Sequence, residues 1–126
     1  MQRNIFEEEH NWFREAVKTF VQRELSPRLE AIREQRLIDR EIWLKAGEAG
    51  FLGVGIPEEF GGNGARDFRF NAVLQEEWAR AGAAYQSSFG IHTDVCAPYL
   101  TDLCNQEQQE RWLPKFVTGE IITAIG

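Results

Sequence analysis

Few side chains in this 126-residue sequence have both the type and the spacing to do chemistry. His10 and His92 are its only histidines. They stand far apart, with no cysteine or carboxylate at metal-ligand spacing beside them, so no zinc site is expected. Glu76 and Glu77 form a carboxylate pair, a pattern that suits general acid–base work. Glu76, however, precedes Arg80 by one helical turn, and pairing or solvation is the better account. Gly53-Val54-Gly55-Ile56-Pro57-Glu58 begins like a dinucleotide-phosphate loop. Such a loop leaves a strand and opens a helix with a third glycine; this one follows a helical pattern and runs into Pro-Glu-Glu. It reads as a structural turn. No Ser-His-Asp or Cys-His constellation can be assigned, so no catalytic group is expected from this chain.

The segment Ala83–Leu103 is patterned by size rather than reactivity. Tyr85, Phe89, His92, Cys96, Tyr99 and Leu103 recur at spacings of three and four, one helical face of large side chains. Ala83, Ser87, Gly90, Asp94, Ala97 and Thr101 recur in the same rhythm on a second face, all small except Asp94. A row of small residues opens a groove beside a helix. That groove admits a neighbouring helix closely, faces water, or holds a long thin ligand.

The elements that must hold this helix are also periodic. Phe13, Val17, Phe20, Val21 and Leu25 predict an amphipathic helix from about Glu7, kinked or ended by Pro27. Asp39 caps a short helix through Trp43 and Ala46, and Gly50 stands where its C-terminus favours a left-handed residue. Asp67 opens a helix bearing Phe70, Val73, Leu74, Trp78 and Ala81. Asn105 and Gln108 form a capping box for a last helix ending near Pro114. The β-branched run Glu120–Gly126 reads as the start of a strand. The expected fold is all-α, with five to six helices and a stub of strand.

A hydrophobic content of 43%, with 9 Phe and 4 Trp, is enough for one core in a single domain. The net charge of -6 argues against nucleic acid and anionic membranes as partners. No stretch is apolar for long enough to predict membrane insertion. Cys96 and Cys104 on one helix would lie about 12 Å apart, too far to bridge. Reduced thiols, and a start too acidic for a transit peptide, predict a cytoplasmic protein.

Several motifs taken in order resemble the acyl-CoA dehydrogenase family. Phe13-Arg14, Val17 and Phe20 look like its first helix. Trp43-Leu44-Lys45-Ala46-Gly47-Glu48 with Gly50 and Leu52-Gly53-Val54, then Pro57-Glu58-Glu59-Phe60-Gly61-Gly62 with Gly64, look like its central corner. Glu76-Glu77 with Arg80, Gly90-Ile91-His92, Gln108, Trp112-Leu113-Pro114 and Gly119-Glu120 continue in register, with Gly90-Ile91-His92 and Ala97-Pro98-Tyr99-Leu100 most like the long-chain branch. The family has glycine where Cys104 stands, and Asn105 is expected to supply the left-handed turn instead.

The resemblance implies the N-terminal helical domain over residues 1–120 and the start of a truncated β-domain over residues 121–126. It implies an FAD enzyme acting on acyl-CoA to give a trans-2-enoyl-CoA. Its electron acceptor would be an electron-transfer flavoprotein or similar, and its assembly a homotetramer. Gln86, Ser87, Gly90 and Asp94 would then line the acyl-chain pocket, and Ile125 and Gly126 the edge of the flavin site. The family's general base and main flavin-binding segment have no counterpart in this sequence. A non-catalytic helical interaction module, and an acyl-CoA oxidase or flavin monooxygenase of the same fold, stand as the competing readings.

Overall fold

The computed structural model describes residues 4–126, and its described residues are helical with no strand. Helix α1 spans Glu8–Phe20, α2 Leu29–Gln35, α3 Arg40–Glu48, α4 Phe68–Ala81, α5 Ala83–Gly90 and α6 Gln106–Val117. Helix α4 packs against both α1 and α5. Val17, Leu25, Ile42, Trp43, Leu74, Trp78, Tyr85 and Phe89 interlock there as the main core. A second cluster, including Leu113, Phe116 and Val117, seats α6 against Ile56 and Cys96.

Pro27 breaks the first helix as its missing N–H predicts. Residues Val21–Leu25 widen into a π turn and Ser26–Arg28 tighten into a 3-10 turn before α2 begins. The tightening takes the Leu29 N–H to the carbonyl of Ser26. The Leu25 carbonyl is then paired from another element, by the buried Tyr85 hydroxyl at 2.8 Å. Asp67 caps α4 by accepting from the Arg69 N–H at 2.9 Å, and the Asn105–Gln108 box opens α6, both as expected. Asp39 occupies the N-cap of α3 without a side-chain bond to it. Gly50 has the expected positive φ, 81°.

Four expectations need correction. The large-residue face does not run unbroken to Leu103: beyond α5 the chain winds as π turns at Ile91–Cys96 and Tyr99–Leu103. More residues per turn rotate the later side chains off the buried face, so Tyr85, Phe89 and His92 are buried while Tyr99 and Leu103 are 60% and 73% exposed. Helix α6 continues through Pro114 to Val117, because Leu113, Phe116 and Val117 bury against the second cluster. Neither Cys104 (φ -80°) nor Asn105 (φ -75°) is left-handed; both are in the β region, and Asn105 acts as a cap. Residues 122–126 form no strand, since β-branched residues make one only beside a neighbour to pair with.

Glycines 47 and 119 weld α3 to the end of α6. A Cβ at Gly47 would lie 2.3 Å from the Thr118 carbonyl, and one at Gly119 (φ 78°) 2.4 Å from the Trp43 oxygen. Such backbone-on-backbone contact leaves no flexible atom to yield. Gly47→Ala is therefore expected to destabilise the chain by about 3 kcal/mol despite alanine's better helix propensity. Gly55→Ala, whose nearest contact is 3.8 Å, is the near-neutral control in the same urea titration.

Candidate functional site

Gln86, Ser87, Gly90 and Asp94 are brought together, around one open depression of about 360 Å³ shared with Gln75, Ile91 and Val95. Its lining is more polar than a row of small residues suggests. Gln86 Nε2 donates to Gln75 Oε1 at 2.8 Å, and Gln75 Nε2 donates to Asp94 Oδ2 at 2.8 Å. Asn71 Nδ2 and Thr93 Oγ1 donate to the other Asp94 oxygen at 2.6 and 2.9 Å. Asp94 is thus committed as an acceptor for three side chains. Gly90 is buried, and a Cβ there would lie 2.7 Å from Gln75 Nε2, so the Gln75 amide covers it. Gln75 belongs to α4, and nothing in the spacing of the long helix announces it.

The two carboxylates of α4 are paired, but not in the expected arrangement. The buried Glu77, rather than Glu76, takes Arg80 at 2.9 Å, three residues on. Arg14 bridges from α1 to Glu77 at 2.6 Å and to Glu76 at 2.7 Å. These pairs staple α1 to α4. His10 also acts between elements: its Nδ1 accepts from the Glu7 N–H at 3.0 Å, and its Nε2 lies 3.0 Å from Asp67 Oδ2. Arg69 and its own N–H hold the Asp67 carboxyl well below the usual carboxylate range, His10 adding to the effect. Possible ligand atoms of Glu7, Glu9 and His10 converge within 4.8 Å, a proximity the sequence spacing did not suggest. Both His10 nitrogens are already engaged within the protein, which leaves no free lone pair for a metal.

His92, unassigned by sequence, joins three parts of the fold. It is fully buried, stacks on Phe116 (3.7 Å between centroids, 8° between planes) and meets Trp43 edge-on. Its Nε2 lies 3.2 Å from the Phe116 carbonyl, which only accepts, so Nε2 carries the proton. Nδ1 then accepts from Thr123, from Oγ1 at 2.8 Å and from N at 3.3 Å. Burial pushes the ring's pKa down to about 4, and the Phe116 contact only partly opposes it.

The pattern of the acyl-CoA dehydrogenase N-terminal domain family matches residues 7–120. The chain belongs to this family. It is 38% identical over 123 residues to the mitochondrial long-chain specific acyl-CoA dehydrogenase of Rattus norvegicus, covering 98% of this chain and 28% of that protein. To the mitochondrial isovaleryl-CoA dehydrogenase of Bos taurus it is 33% identical, covering 97% and 29%. An acyl-CoA dehydrogenase from Geobacillus kaustophilus superposes with a TM-score of 0.91 at 36% identity, over 96% of this chain and 31% of that one. An acyl-CoA dehydrogenase complexed with FAD, from Bacillus anthracis, gives 0.82 at 32%, over 97% and 21%. This chain therefore spans under a third of the length of each of these proteins.

Geometry explains several of the acyl-CoA dehydrogenase motifs. Gly47 and Gly119 are the contact points of α3 and α6. The Pro57–Gly64 corner folds on itself, with the N–H groups of Asn63, Gly64 and Ala65 donating to Gly53, Ile56 and Val54. Gly61 and Gly64 take positive φ there, and a Cβ on Gly62 would collide with the Ile56 carbonyl. The glycines serve the turn. At the other end, Ile125 is 60% exposed.

Proposed function

We propose that this chain is the N-terminal part of an FAD-dependent acyl-CoA dehydrogenase, supplying one wall of the acyl-chain pocket and one edge of the flavin site. The convergence of Gln86, Ser87, Gly90 and Asp94 on one depression carries this reading, within the family the chain belongs to. The reaction is the conversion of an acyl-CoA to its trans-2-enoyl-CoA by loss of an α-proton and a β-hydride. FAD, when bound, supplies the acceptor for that hydride. The residues of this chain bind and shape. Asp94 is held by three donors and Glu77 by two arginines, so neither is poised to take a proton. The general base is assigned to a part of the enzyme outside these residues.

The same reading includes an electron-transfer flavoprotein or similar acceptor, a homotetramer, and a cytoplasmic location in keeping with the free thiols of Cys96 and Cys104. The first test is a titration of the 126-residue chain with FAD, followed by absorbance. No stoichiometric yellow complex and no acyl-CoA-dependent dye reduction are expected, because positioning and a base are both required. The longer protein containing this segment is expected to show both. A yellow, dye-reducing complex from the chain alone, or a longer protein inert to every acyl-CoA, would overturn the proposal.

A further inference from the structure

We propose that His92 is a positioning residue for the flavin-side end of the chain, clasping Thr123 so that the backbone at Ile125 and Gly126 runs in one place. This rests on reading residues 125–126 as a flavin edge, but the clasp itself is geometric. The tail leaves α6 through three tethers. Arg40 donates to the Glu120 carbonyl, the Ile121 N–H donates to the Lys115 carbonyl at 3.0 Å, and Thr123 donates twice to His92 Nδ1. Thr123 is the last of these before Ile125. An extended chain advances at most ~3.6 Å per residue, so Ile125 lies within about 7 Å of that anchor.

The anchor is rigid because His92 has no freedom of its own. Its ring is buried between Phe116 and Trp43, and the Phe116 carbonyl fixes its proton on Nε2. The other tautomer would set a bare Nε2 against that carbonyl and an Nδ1–H against the Thr123 N–H, and turning the ring over would set C–H groups against both. A neutral imidazole in this tautomer presents one lone pair in one direction, and Thr123 is the residue that uses it. In this chain residues 122–126 form no regular element, so without the clasp the tail is held only as far as Ile121. The entropy of ordering them would then be lost on binding flavin.

Thr123→Val keeps the branched volume and removes the hydroxyl. Thr123→Ser keeps the hydroxyl and is the rescue. In the longer protein, Thr123→Val is expected to weaken FAD binding by roughly tenfold, and Thr123→Ser to stay within about twofold of wild type. FAD affinity is read by flavin fluorescence, with thermal melts alongside. Amide hydrogen exchange of residues 121–126, measured on the longer protein and on the 126-residue chain, reads the tail directly. Faster tail exchange with weaker FAD binding in Thr123→Val, both restored in Thr123→Ser, supports the assignment. Unchanged exchange in Thr123→Val overturns the clasp. Faster exchange with wild-type FAD affinity overturns its role toward the flavin. A wild-type longer protein that binds no FAD overturns the cofactor reading instead, while the exchange comparison still decides the clasp.

Discussion

Gly90→Phe in the proposed longer dehydrogenase is expected to lower kcat/KM on a C16 acyl-CoA roughly 50-fold more than on a C4 acyl-CoA. Gly90 lies under the Gln75 amide, at the depression that Gln86, Ser87 and Asp94 also line. The atoms a new side chain would strike are the far end of Gln75, which can swing aside, unlike the carbonyl that faces Gly47. A phenyl ring can therefore enter, taking space a long chain would use. Each methylene excluded forfeits about 0.8 kcal/mol of burial, so losing three shifts the C16-to-C4 preference by roughly 50-fold. Gln75→Ala removes the cover from Gly90 and is expected to move the preference the other way. If the face served only packing, the ring would overpack it at a cost of about 1–3 kcal/mol and depress all chain lengths alike. Steady-state kinetics from C4 to C16, with melting curves for both variants, separate the two. A uniform loss with a lowered Tm returns Gly90 to plain packing.

Gln75 shows where sequence reading stops. The small face of the long helix was legible because Ser87, Gly90 and Asp94 share one local rhythm, and the structure does gather them. Their cover comes from another helix, through contacts no spacing records. Thr123 and His92 are joined across 31 positions for the same reason. Features set by neighbouring residues read correctly: the cap at Asp67, the Asn105–Gln108 box, the left-handed Gly50 and the break at Pro27. The reading of one face to Leu103 assumed 3.6 residues per turn, while Pro98, which lacks an N–H, stands among π turns that change that count. Arg80 pairs with Glu77, and Arg14 arrives from α1 to both Glu76 and Glu77, a tertiary partner invisible within α4. The glycines of the family motifs were visible as letters. Only the packed structure says that Gly47 and Gly119 are there because another backbone lies against them.

The chain is expected to lose stability as pH falls from about 6.5 to about 4, and His92 is the cause. Its folded pKa, near 4, is depressed below the ordinary value of 6.5 by burial. Between those values the unfolded chain binds a proton that the folded chain refuses, so stability rises with pH and falls with acid. The gap corresponds to about 3 kcal/mol at full development. That is a large part of the roughly 5–15 kcal/mol that holds a domain together. The ring's described neighbours, Phe116, Trp43 and Thr123, are all neutral, so no nearby carboxylate is seen to rescue the imidazolium. Glu24, bonded by Lys45 and Arg28, and Asp67, bonded by Arg69, have lowered values instead. Their contributions persist above the ordinary carboxylate range and fail only as pH drops below it, so the two windows are separable. His92→Phe keeps the stack on Phe116 but cannot take up a proton. At pH 7.5 it is expected to be less stable than wild type by about 1–3 kcal/mol, for the hydrogen bonds lost with Phe116 and Thr123. That deficit is expected to shrink steadily toward pH 4.5, because only the wild type pays the protonation penalty. Urea unfolding of both chains at half-unit steps of pH measures the difference, in which ionisable groups common to both cancel. Parallel profiles down to pH 4.5 would mean that His92 accepts a proton in the folded state, and that the clasp on Thr123 tolerates it.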